Sequence, residues 1–193
     1  MIDKVLAHVR DCQADHAERL KSFLRIPSIS TDPTRRDDTR RAGEWVCDAL
    51  NECGIEAEMI ETPGHPCVVA DSGPTDDNAP TLLVYGHYDV QPIGDRTLWK
   101  ADPFDPVEID GALVARGAAD DKGQVLTHLF AAEAWKHVTG RLPVRYKFLI
   151  EGEEELGSPN LDAFVAEHRD RLACDFVVLS DTAKLDAETP AIT

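Results

Sequence analysis

Residues 81–92 read TLLVYGHYDVQP, and the apolar run that opens this stretch decides the fold class. Residues 81–85 are apolar without alternation, which is typical of a strand that is covered on both faces. Similar strand runs and intervening helical patterns follow at 120–138, 144–150, 159–169 and 176–179. Strands that alternate with helices predict an α/β fold with a mostly parallel sheet.

The remaining elements are weaker patterns on either side of this stretch. Asp110-Gly111 lies between two short apolar runs and predicts a hairpin turn. The other predicted elements are helices at 3–25 and 37–53, strands at 55–60 and 67–70, and the hairpin strands at 107–109 and 113–115.

The charge of the chain excludes several classes of partner. Its 193 residues include 20 Lys and Arg against 36 Asp and Glu, a formal net charge of −16. Nucleic acids and anionic membrane surfaces require a basic face, so neither is an expected partner. No apolar run approaches the ~18 residues of a membrane-spanning helix.

The five cysteines are scattered and contain no Cys-x-x-Cys pair, which excludes a zinc ribbon and a thioredoxin-type site. The N-terminal residues are mixed polar and lack the apolar core of a signal peptide. Free thiols without an export signal predict a reducing, cytoplasmic compartment.

Polar side chains follow each of the buried strand runs. His87 and Asp89 come after the first, EGEEELGS at 151–158 after the second, and Asp181 after the third. Asp120-Asp121 begins the long predicted helix. Because ligands of parallel sheets bind beyond the carboxyl ends of the strands, we expect these side chains to meet at one edge.

Clustered carboxylates repel one another and require a counter-charge, which a divalent cation supplies. One imidazole among several carboxylates suits zinc, manganese or cobalt better than calcium. Two ions that share a bridging carboxylate lie roughly 3.5–4 Å apart and activate a water between them. Asp89, two residues after His87, is placed to accept the second N–H of the imidazole.

Each of these features also has a structural interpretation. A histidine at a strand end is often structural, a run of glutamates is often a solvated face, and Asp120-Asp121 can be a helix N-cap. Asp181 can be an ordinary acid between a strand and a loop. The coincidence of all four at strand ends favours a metal site, but the residues alone leave both interpretations open.

Four motifs in this order resemble the zinc dipeptidase/aminoacylase/glutamate-carboxypeptidase family. They are GHYDVQP at 86–92, DG at 110–111 with RGAADDKG at 116–123, EGEEELGS at 151–158, and SD at 180–181. Gln91-Pro92 and the segment from Trp99 to Phe104 resemble its cytosolic, carnosinase-like dipeptidase branch. The resemblance implies a three-layer α/β/α catalytic domain, two zinc ions (or manganese or cobalt) and a cis peptide between Asp120 and Asp121.

The resemblance also implies a role for each candidate residue. The implied metal ligands are His87 and Asp181 on one ion, Glu155 on the other, and Asp120 on both. Asp89 would orient His87, and Glu154 would be the general base. The implied reaction is hydrolysis of the amide bond of a small peptide. Hydrolysis of N-acyl or N-carbamoyl amino acids and a non-catalytic metal-binding remnant remain the alternatives.

Family members are longer, with a lid and dimerisation domain and a late histidine ligand. The resemblance therefore implies that residues 1–193 are the N-terminal part of the catalytic domain, without the lid and the C-terminal part. We expect the full-length protein to be a homodimer and the 193 residues alone to be inactive or nearly so.

Overall fold

The computed structural model describes residues 1–75, 78–182, 186 and 189. Its helices are α1 (Ile2–Asp11), α2 (Gln13–Leu24), α3 (Arg36–Glu52), α4 (Lys122–Thr139), α5 (Leu161–Glu167) and α6 (Arg169–Leu172). Its strands are β1 (Glu56–Ile60), β2 (Cys67–Asp71), β3 (Thr81–His87), β4 (Val107–Ile109), β5 (Ala112–Val114), β6 (Arg145–Glu151) and β7 (Phe176–Leu179). Single turns of 3-10 helix lie at Pro33–Arg35, Arg96–Leu98 and Glu154–Leu156.

Five strands form the central sheet, in the order β1-β2-β6-β3-β7. β3 pairs in parallel with both β6 and β7. β2 pairs antiparallel with β1 and with β6, so it alone runs against the other four strands. The predicted α/β fold with a mostly parallel sheet is confirmed, and β3 occupies the interior position that its unbroken apolar run indicates.

Apolar side chains project from both faces of the sheet, and each face forms its own hydrophobic core. On one face, Val84 and Phe148 pack in a cluster with residues of α3 and α4. On the other face, Leu83 and Leu149 pack against Phe164 of α5 and Leu172 of α6. Neighbouring residues of one strand therefore serve opposite cores, as the two-residue repeat of a strand requires. The result is the three-layer α/β/α arrangement.

One predicted helix is divided in the structure. The pattern at 3–25 forms α1 and α2, which meet at Cys12, whereas the predicted helix at 159–169 corresponds to α5, and α6 begins at the last residue of that range. Between Val9 and Leu20 the sequence has no large apolar residue, and no apolar side chain of that segment belongs to the buried core. The break allows Val5 of α1 and Phe23 of α2 to be buried separately.

The hairpin follows its predicted turn, with positive φ at both Asp110 (52°) and Gly111 (78°) between β4 and β5. All five cysteines are free thiols. In the part of the chain that the structure describes, no helix combines the length and the apolar character that crossing a membrane requires.

Candidate metal centre

The candidate centre lies at the edge of the sheet where the three parallel strands end. β3 ends at His87, β6 at Glu151 and β7 at Leu179. The segment before α4 brings Asp120 to the same edge, where its carboxylate faces the imidazole of His87. The fold therefore gathers side chains that are as much as 94 residues apart in sequence, His87 and Asp181.

His87 is at the middle of this group and its side chain is completely buried. Its Nδ1 lies 3.0 Å from the backbone oxygen of Asp89, which accepts the ring N–H. Its Nε2 points the other way, 3.1 Å from Asp120 Oδ1, 3.6 Å from Asp181 Oδ2 and 4.0 Å from Glu154 Oε2. Because Nδ1 is committed to this hydrogen bond, Nε2 is the ring nitrogen that would bind a metal ion, and it faces the three acids.

The donor set fits a divalent cation. Nε2 of His87 is buried and has no hydrogen-bond partner among the described residues. One ligand atom from each of His87, Asp120 and Asp181 lies within 4.8 Å of the others. Burial lowers the pKa of His87, but Asp89, Asp121 and Glu154 outweigh burial and raise it to about 10. The site therefore attracts positive charge, and a mixed imidazole and carboxylate shell suits zinc or its neighbours.

Asp89 connects the imidazole to the loop after β6. Its buried carboxylate accepts hydrogen bonds from the Ser30 hydroxyl (2.6 Å) and from the backbone N–H groups of Glu154 (3.3 Å) and Glu155 (3.1 Å). Its backbone oxygen accepts the hydrogen bond from Nδ1–H of His87, while its carboxylate Oδ1 lies 3.3 Å from the same Nδ1. Asp89 thus orients the imidazole chiefly through its main chain, and its side chain fixes the two glutamates relative to that ring.

We expect Ser30→Ala to lower the free energy of unfolding by about 1.5–3 kcal/mol, because it removes a buried hydrogen bond to a charged group. Ser28→Ala is the matched control, since the buried Ser28 hydroxyl donates to the neutral carbonyl of Tyr88 at 2.7 Å. That loss should be about 0.5–1.5 kcal/mol. Urea denaturation of both variants measures the difference, and equal losses would contradict the role assigned to Asp89.

Glu154 and Glu155 are adjacent but have different surroundings. The carboxylate of Glu155 accepts hydrogen bonds from the side chain (2.7 Å) and the backbone N–H (3.2 Å) of Gln91. No donor among the described residues is hydrogen-bonded to the carboxylate of Glu154, which faces His87. Burial raises the pKa of both glutamates, and for Glu155 the charge of Asp120 raises it further. Gln91 therefore holds the carboxylate of Glu155, whereas no described donor holds that of Glu154.

The Asp120–Asp121 peptide is cis, as the resemblance implies. Asp121 is the N-cap residue of α4, but its side chain does not cap the helix. Instead its Oδ2 accepts the backbone N–H of His87 at 3.1 Å, and a Cβ at Gly86 would lie 2.5 Å from that oxygen. Burial raises the pKa of Asp121 to about 7. The N-cap interpretation of these two aspartates is therefore wrong for their side chains, which face the β3 end.

The structure adds two residues that sequence reasoning missed. Ser30 bonds to Asp89, although the sequence around it indicated only the end of a helix before Pro27. In the sequence, Gln91 indicated only a resemblance to one branch of the family. In the structure its side chain donates a hydrogen bond to the carboxylate of Glu155. The position of Gln91, two residues after Asp89 and within the same motif, was a usable signal. Nothing in the local sequence distinguishes Ser30 from an ordinary loop serine.

Comparison with known proteins points to one family. The sequence profile of peptidase family M20/M25/M40 matches residues 83–192. The chain is 33% identical over 208 residues to the human Beta-Ala-His dipeptidase, and this match covers all of this chain and 41% of the human protein. It is 30% identical over 191 residues to a Cys-Gly metallodipeptidase of Saccharomyces cerevisiae, and this match covers 91% of this chain and 40% of the yeast protein.

A solved structure gives the same result at the level of the fold. The crystal structure of human carnosine dipeptidase 1 superimposes with a TM-score of 0.86 and 34% sequence identity. The match covers 93% of this chain and 41% of the human chain. The chain thus spans about 41% of the length of these human relatives.

Proposed function

Because this chain belongs to peptidase family M20/M25/M40, we propose that its gene product hydrolyses the peptide bond of dipeptides or other short peptides with bound divalent metal ions. The observation that carries the proposal is the buried, unpartnered Nε2 of His87 facing the carboxylates of Asp120 and Asp181. The names of the relatives, Beta-Ala-His dipeptidase and Cys-Gly metallodipeptidase, support small peptides as substrates.

In this proposal His87, Asp120 and Asp181 hold the first ion, and Asp120 and Glu155 contribute to the second. Zinc is the first choice because it suits a shell of one imidazole and several carboxylates, and manganese and cobalt are the alternatives. Bound divalent ions would act as Lewis acids, which lower the pKa of bound water and polarise a carbonyl oxygen.

Glu154 is the proposed general base. Its carboxylate lies 4.0 Å from His87 Nε2, beside the proposed ligands, and no described donor holds it. It takes the proton of the attacking water and returns it to the departing amine, so the same residue serves as base and then as acid. Burial raises its pKa, His87 lowers it, and the charges of Glu155 and Asp181 raise it. A raised pKa makes the carboxylate a stronger base toward the attacking water, and it brings the pKa closer to the working pH, where one group can serve as base and then as acid.

The test is a metal-dependence assay on the gene product that contains residues 1–193. Treatment with a chelator should abolish hydrolysis of β-Ala-His and Cys-Gly, and added zinc, manganese or cobalt should restore it. Hydrolysis of N-acetyl or N-carbamoyl amino acids in place of dipeptides would instead support the acylase alternative. Tightly bound zinc without hydrolysis of either class would support the non-catalytic alternative.

A further inference from the structure

Strand pairing does not reach Asp181. The ladder between β3 and β7 ends at the pair Tyr85 and Leu179, two residues before Asp181. The ladder between β3 and β6 continues to the pair His87 and Glu151. β7 is also the edge strand of the sheet, so among the described residues no second strand fixes its end. Another contact is needed to place the Asp181 carboxylate 3.6 Å from His87 Nε2.

That contact comes from α4. Nε2 of His128 lies 2.6 Å from Oγ of Ser180, the residue directly before Asp181. His128 is half-buried, and burial lowers the pKa of its imidazole, which therefore stays neutral near pH 7. A neutral imidazole Nε2 and a hydroxyl make a hydrogen bond in either direction. Helix α4 also begins directly after Asp120 and Asp121. It therefore follows one proposed ligand, Asp120, in sequence, and its His128 contacts the residue directly before the other, Asp181.

We propose that His128 is a positioning residue, which holds Ser180 and thereby keeps the Asp181 carboxylate in place to bind the first metal ion. The inference rests on the proposed function, since it assigns Asp181 as a ligand. His128 itself does not touch the proposed ligands and acts only through the loop that follows β7. Partners of this kind beyond the metal ligands typically change metal affinity by 10–100-fold.

Zinc affinity, measured by chelator competition on the gene product, tests this assignment. His128→Leu and Ser180→Ala should each weaken zinc binding by roughly 10–100-fold. His128→Gln, whose amide nitrogen can reach the same hydroxyl, should restore most of the affinity. His137→Leu is the matched control on the same helix, because its ring stacks on His8 of α1 (4.1 Å between centroids) and should leave the affinity unchanged.

Two combined variants separate positioning from general damage to the fold. The double variant His128→Leu/Ser180→Ala should bind zinc no more weakly than either single variant, because both break the same contact. In an Asp181→Ala background, His128→Leu should have no further effect. Wild-type affinity in His128→Leu, or an equal loss of affinity with and without Asp181, would overturn the inference while leaving the proposed function intact. Failure of the wild-type protein to bind zinc, manganese or cobalt would overturn both.

Discussion

Replacement of Glu154 with glutamine is expected to lower kcat for dipeptide hydrolysis by about 10²–10⁴-fold, the range that a positioned general acid–base contributes. Glutamine preserves the size and shape of the side chain but cannot take a proton from water. Because Glu154 is not a proposed ligand, the metal content of the variant should remain that of the wild-type protein. Steady-state kinetics with metal analysis of the same preparation give both quantities.

The two neighbouring glutamates provide matched controls for this variant. The carboxylate of Glu153 accepts a hydrogen bond from Asn160 (2.7 Å), so Glu153→Gln should have nearly wild-type kcat. Glu155→Gln should lose metal, because Glu155 is the proposed ligand of the second ion. If Glu154→Gln loses metal and Glu155→Gln keeps it, the roles of these two residues are exchanged.

His87→Ala is expected to weaken zinc binding by more than roughly 10–100-fold, because the variant removes the ligand atom itself. Loss of a residue that only holds a ligand in place weakens binding by roughly 10–100-fold. Activity should fall with it, since no other histidine belongs to the group of potential ligands in the described part of the chain. Chelator competition measures the affinity, and His137→Ala, at an exposed position of α4, is the control. Unchanged zinc binding in His87→Ala would place the metal elsewhere.

The positions of the strands were predictable from their apolar runs. The structure places strands within one to two residues of 81–85, 144–150 and 176–179. The expectation that 176–179 is covered on both faces is wrong, because β7 is the edge strand and Phe176, Val177 and Leu179 are exposed. The reversed direction of β2 could not be predicted, because a short apolar run at 67–70 carries no information about which strand it pairs with. The break at Cys12 was missed because residues 3–25 contain no proline or glycine to mark it.

The candidate site was predictable to the extent that strand ends are predictable. His87, Asp120 and Asp181 each follow or precede a strongly patterned element, so a parallel sheet is sufficient to bring them together. The supporting contacts depend on packing between distant segments. Ser30 meets Asp89 across 59 residues and His128 meets Ser180 across 52, and a single sequence contains no pattern that links such pairs.

Zinc anomalous diffraction from a crystal of the zinc-loaded gene product tests the central claim most directly. We expect an anomalous peak ~2.0–2.1 Å from Nε2 of His87, the length of a zinc–imidazole bond, with carboxylate oxygens of Asp120 and Asp181 as its other ligands from this chain. A zinc-loaded crystal whose anomalous peaks all lie away from His87 would contradict the metal centre and, with it, the hydrolytic mechanism.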